Sequence, residues 1–85
     1  MELVLEKQPR KYLASVDKPT REKLTRALDG LLNLEGDIAK LKGKKKNYYR
    51  LKIDHYRVIF IYNGDEIIIV NTIDSRTNIK YREDE

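Results

Sequence analysis

Residues 48–62, YYRLKIDHYRVIFIY, alternate with a period of two on either side of Asp54-His55. That alternation constrains the fold more than any other feature. A two-residue loop at Asp54-His55 pairs Ile53 with Tyr56, Leu51 with Val58 and Tyr49 with Phe60. All six are apolar or aromatic, so they form one buried face. Slipping the register by one residue would drive Arg57 between Leu51 and Ile53, and strand parity makes such a slip invert every side chain. The loop must therefore be even.

The same parity crowds cations on the other face. Lys52 falls opposite Arg57, with Arg50 diagonal to it, and neither strand contains an acid. Directly paired side chains have Cβ atoms about 5 Å apart, where like charges are unfavourable. At an effective dielectric near 20 the repulsion is about 3 kcal/mol, an upper figure for flexible, solvated heads. The stretch 40–52 holds seven Lys or Arg and no acid, and the chain has net charge +4 and pI 9.3. A polyanion, most simply a nucleic acid, fits such a side. Ile59, Ile61 and Ile68 are expected on this face too, and so a covering segment or partner is expected there.

Elsewhere the period changes. Leu3–Leu5 reads as a strand, and Pro9 suits the first turn of a helix carrying Tyr12, Leu13 and Val16. Asp17 is expected to cap a second helix, on which Leu24, Ala27, Leu28, Leu31 and Leu34 form an apolar stripe ending before Gly36. Residues 37–47 read as a basic connector. Asn63-Gly64 signals a type I′ hairpin, and extending its register sets Arg57 opposite Val70. The expectation is an α+β domain over 1–85, ordered β-α-α-β-β-β, with two N-terminal helices packed on one face of a small antiparallel sheet. The last strand then leaves at the Lys52 end, bringing Arg76 near the cations with Lys80, Tyr81 and Arg82 behind it.

Eighty-five residues leave room for one domain. The absence of Cys fits a reducing cytoplasm and excludes thiolate sites, and one His makes no His-based metal cluster. No metal or other cofactor is expected, because no group of acids accompanies the cations. MELVLEKQ has no signal-peptide pattern, and no stretch approaches the roughly 18 apolar residues of a membrane span. His55 reads as a turn residue.

K-L-K-G at 40–43, Y-R-L-K-I at 49–53, Y-R-V-I-F at 56–60 and R-x-x-I-x-Y at 76–81 together resemble the RelE/ParE superfamily of type II toxin–antitoxin toxins. The resemblance covers nearly the whole chain and implies the same fold. Its RelE branch implies a ribosome-dependent mRNA endonuclease, in which the message's own 2′-hydroxyl attacks the adjacent phosphate. That chemistry needs a base, positive charge around the phosphorane and help for the leaving 5′-oxygen. By this resemblance Lys52 is the base, Arg57 the phosphate clamp and Arg76 the group at the leaving oxygen. Arg50, where the family often has Lys, holds phosphate. Tyr81 would stack on a base or orient the message, with Lys80, Tyr48, Lys44, Lys45 and Lys46 as further RNA contacts. The family aromatic usually follows Ile or Val directly, whereas Lys80 separates Ile79 from Tyr81 here. The implied partners are a cognate antitoxin protein, the ribosome and mRNA, with no membrane. The alternatives are a ParE-like DNA gyrase inhibitor without nuclease activity, or an inactive relative that binds RNA or antitoxin.

Overall fold

The structure is a computed structural model describing residues 1–43, 47–79 and the backbone of 82–83. Its elements are β1 (Glu2–Leu5), α1 (Lys7–Ser15), α2 (Lys18–Leu31), β2 (Asp37–Lys42), β3 (Tyr48–Ile53), β4 (Tyr56–Tyr62), β5 (Ile67–Ser75) and β6 (Arg82–Glu83). One sheet runs in the order β1-β5-β4-β3-β2-β6, with β1 parallel to β5 and the other neighbours antiparallel. The α+β layout matches the expected one, with two added strands, of which β6 pairs with β2 at the sheet's edge. The connector at 37–47 contains a strand, β2, which pairs with β3.

The helices separate where the backbone turns extended at Val16 and Asp17. Arg21 seals the joint: its Nε donates to the Leu13 carbonyl at 2.7 Å and its Nη2 to that of Val16 at 2.9 Å. Two orphan carbonyls at the end of α1 are thereby satisfied. Asp17 occupies the N-cap position of α2 as expected, but its side chain makes no capping bond. Pro19, in the first turn, removes one of the two N–H groups that such a side chain would accept from.

Leu24, Leu28 and Leu31 of α2 are buried against Leu51, Val58, Phe60, Ile68, Val70 and Ile73 of the sheet, and Ala27 packs beside them. Burying a side chain of this size stabilises by about 1.5–3 kcal/mol. Tyr49 and Phe60 stack across β3 and β4 with ring centroids 5.6 Å apart. Leu34 does not extend the stripe. It is exposed and has φ 54, as the left-handed residue of the helix-ending turn. Leu34 N donates to Leu31 O and Glu35 N to Gly30 O, the bonding pattern of a Schellman end. Gly36 then takes φ +117, and a Cβ there would lie 2.6 Å from Leu51 Cδ1. Only glycine lets β2 start against that core leucine.

The β4–β5 hairpin departs from the expected register. Gly64 has positive φ but Asn63 does not, so the type I′ requirement fails. Pairing closes at Tyr62–Ile68, leaving residues 63–67 between them. This odd displacement inverts the near end of β5, and Ile68 is fully buried on the helix side instead of sharing a face with Ile59 and Ile61. A β-bulge follows, in which Asn71 is the extra residue between the Phe60–Val70 and Ile59–Thr72 pairs. Arg57 therefore faces Asp74, not Val70. Beyond β1 the exposed edge of β5 is served by Gln8, whose amide donates to the Ile73 carbonyl and accepts from its N–H, both at 2.8 Å.

Leu34→Gly removes a left-handed cost of roughly 1–2 kcal/mol and adds some unfolded-state entropy, so a net gain of about 0.5–1 kcal/mol is expected in urea unfolding. Gly36→Ala is expected to lose at least about 1 kcal/mol in the same assay. The opposite pair of signs would contradict this account of the α2–β2 junction.

Candidate active site

β3 and β4 meet at Asp54-His55 in the expected register: Lys52 pairs with Arg57, Arg50 with Ile59, and Tyr48 with Ile61. Lys52 and Arg57 thus share the face turned away from the helices. The flanking strands extend this pair into a row. Asp37 of β2 lies opposite Lys52, and Asp74 of β5 lies opposite Arg57. Across four strands the row reads Asp37, Lys52, Arg57, Asp74. The like-charge contact is bracketed by two carboxylates that sequence reasoning had not placed there.

Each member has its own anchors. Arg50 is buried, and its Nη1 donates to Asp37 twice, to the main-chain oxygen at 2.6 Å and to Oδ1 at 3.0 Å. The hydrogen bond and charge of Arg50, with smaller contributions from Lys52 and Arg57, hold the Asp37 carboxyl below its usual range. Arg57 is also buried, and its Nη1 donates to the carbonyls of Asp54 and Tyr56, both at 2.9 Å. The turn itself is tied to α2, where Lys23 Nζ meets Asp54 Oδ2 at 2.8 Å. That contact lowers the Asp54 pKa and raises that of Lys23. Asp74 Oδ1 accepts from Ser75 N and Asn78 Nδ2 at the exit of β5. Arg76 N donates to the His55 carbonyl at 2.6 Å, so the start of the next turn sits beside the β3–β4 tip.

Of the candidate residues, Arg50, Lys52, Arg57 and half-buried Tyr48 share one face by register, and Arg76 is exposed at its turn end. Lys52 is exposed, whereas Arg50 and Arg57 are held against main-chain oxygens. His55 is an exposed turn residue. Lys44, Lys45, Lys46, Lys80 and Tyr81 lie outside the described residues. An open groove of about 540 Å³ runs elsewhere, along α1 beside Lys7, Gln8, Lys11, Tyr12 and Ser15, and no candidate lines it.

The strand that carries Asp37 leaves a faint signal in the sequence. DIAKLK sits between Gly36 and Gly43, a strand-length segment with glycine at both ends. Ile38 and Leu41, three apart, blur its alternation, and the lysines dominate its composition. Asp74 depended on a bulge that no local pattern announces.

Known proteins can be set beside this geometry. The sequence model for the ParE toxins of type II toxin–antitoxin systems (parDE) matches residues 4–79. The chain belongs to this toxin family. Its fold is similar to that of the RelB–RelE antitoxin–toxin complex from Methanococcus jannaschii, at 28% identity and TM-score 0.70, covering 87% of this chain and 91% of that one. It is also similar to the isolated E. coli RelE toxin (19%, TM-score 0.70, 86% and 81% covered). A copper-bound mutant toxin from Helicobacter pylori shares the fold as well (18%, TM-score 0.68, 94% and 99% covered). Comparison with curated protein sequences gives no match. Among the described residues no helix is long and apolar enough to cross a membrane.

Asp37 and Asp54 both have folded-state pKa values below the ordinary 3.8. Their contribution is complete above that value and is lost as pH falls through the lower folded values. Urea midpoints should therefore decline as pH drops from about 5 to about 2.5. Asp54→Asn, which tolerates the positive φ of the turn, should flatten part of that decline. An unchanged acid slope in this variant would show that the Lys23–Asp54 contact adds nothing.

Proposed function

We propose that this toxin is a ribosome-dependent mRNA endonuclease of the RelE type, acting in the cytoplasm and restrained by an antitoxin protein. The observation that carries the reading is the direct Lys52–Arg57 pairing on the sheet face turned away from the helices, with Arg76 at the adjoining turn. Cleavage would form a bond from the message's 2′-oxygen to its own 3′-phosphorus and break the bond from phosphorus to the 5′-oxygen. The 2′-proton passes to Lys52, the exposed amine of the set, which acts in its unprotonated form. Arg57, whose Nη1 is held by two carbonyls, supplies guanidinium charge to the phosphate, an anion whose oxygens arginine matches better than lysine does. Arg76 stabilises charge on the departing 5′-oxygen, which takes up a proton from water. The products are a 2′,3′-cyclic phosphate and a 5′-hydroxyl. Arg50 adds charge at the phosphate, and Tyr48, Lys80, Tyr81 and the lysines 44–46 position the strand. No cofactor is required in this scheme.

Partner and fold comparisons support the antitoxin. The M. jannaschii RelE relative was solved as a complex with RelB. Here Val4 and Ile67 are exposed, and Ile61 and Ile69 half-buried, on the face that carries the cations. An amphipathic acidic segment would cover both the apolar stripe and the charges beside it. A second reading, inhibition of DNA gyrase without nuclease chemistry, is favoured by the ParE description of the matching family.

Lys52→Ala and Arg76→Ala alter exposed side chains, so both variants should fold. Each is expected to cut message cleavage by about 100-fold or more and to relieve growth arrest. Primer extension on cellular messages after induction reads this directly, with cuts inside codons that disappear in the variants. Intact messages accompanied by a DNA-damage response would overturn the nuclease reading in favour of gyrase.

A further inference from the structure

The Arg50–Asp37 contact is lopsided. The arginine side chain is 9% exposed and the aspartate 60%, so anything approaching from solvent meets the carboxylate before the guanidinium. Asp37 also stands directly across from Lys52, the exposed cation of the row. Its carboxyl is held ionised by Arg50 first, and then by Lys52 and Arg57. One anion thus stands among the cations of the candidate site, bonded to Arg50 and directly across from Lys52.

We propose that Asp37 is a resident competitor for the RNA phosphate, a specificity-determining residue that sets the affinity threshold of the cation face. This inference rests on the phosphate-binding reading above. An isolated phosphate or a loosely held strand must displace a carboxylate already bonded to Arg50 and gains little by doing so. A message positioned by other contacts has its phosphate delivered at high effective concentration and displaces the carboxylate. The second grip of Arg50, on the Asp37 main-chain oxygen, persists through the exchange and keeps the guanidinium in place. Charge discrimination here comes from an anion inside the site, not from a shortage of cations.

The test uses a fluorescently labelled single-stranded 2′-O-methyl RNA, which cannot undergo 2′-attack, in anisotropy titrations of the full chain at several salt concentrations. Asp37→Asn keeps size and main chain but removes the charge. It should bind about 5–10-fold more tightly than wild type, with a log K against log salt slope steeper by about 0.7, the value for one more phosphate contact on a single strand. In the Asp37→Asn/Arg50→Ala double variant the gain should vanish. A merely structural Asp37 would lower the melting temperature and leave the salt slope alone. A folded Asp37→Asn protein with wild-type affinity and slope overturns the inference while Lys52- and Arg76-dependent binding leaves the site standing. Binding indifferent to Lys52→Ala and Arg76→Ala, or absent in wild type and Asp37→Asn alike, overturns the site and the inference together.

Discussion

Lys52 and Arg57 face each other across β3 and β4, and a sheet holds two cations that close only if something compensates them. The compensation comes from both sides. β2 contributes Asp37 and β5 contributes Asp74, so the row through the middle of the sheet has a carboxylate at each end and a formal charge of zero. Helix, turn and bulge all serve this row. Lys23 of α2 ties down Asp54, the Asp54 carbonyl receives Arg57, Gly36 lets β2 start against Leu51, and the extra Asn71 rotates Asp74 onto the cation face.

The compensation changes what the charge pattern means. Cations crowded without acids would demand an external anion merely to exist. Cations already bracketed by acids are compensated within the sheet and need no external anion to be stable. Buried Arg50 and Arg57, each donating to main-chain carbonyls, have fixed positions and little rotamer entropy left to lose on binding. Lys52 and Arg76, by contrast, are exposed.

Local pattern made much of the fold readable. The β3–β4 register followed from parity alone, because Leu51, Val58, Tyr49 and Phe60 admit only an even loop. The α2 stripe placed Leu24, Leu28 and Leu31 in the core, since their spacing matches the helical repeat. Leu34 broke the pattern, as helix ends are set by backbone hydrogen bonds that the apolar period does not encode. Of the candidate site, the shared face of Arg50, Lys52 and Arg57 was legible and their acidic neighbours were not. Asp37 lies in a segment whose lysines mask its strand pattern, and Asp74 lies beyond a hairpin that Asn63-Gly64 does not close as a type I′ turn.

The sequence by itself determined the α+β order and the side of the sheet on which Lys52 and Arg57 stand, because a period of two leaves no choice once one face is buried. Only the tertiary structure decided that Asp37 and Asp74 stand beside them. Cross-strand neighbours from distant segments depend on registers, and those registers were fixed by the loop after Tyr62, the bulge at Asn71 and the pairing of β2 with β3. Each is a contest between backbone hydrogen bonding and burial over the whole sheet, and no short stretch of residues records its outcome.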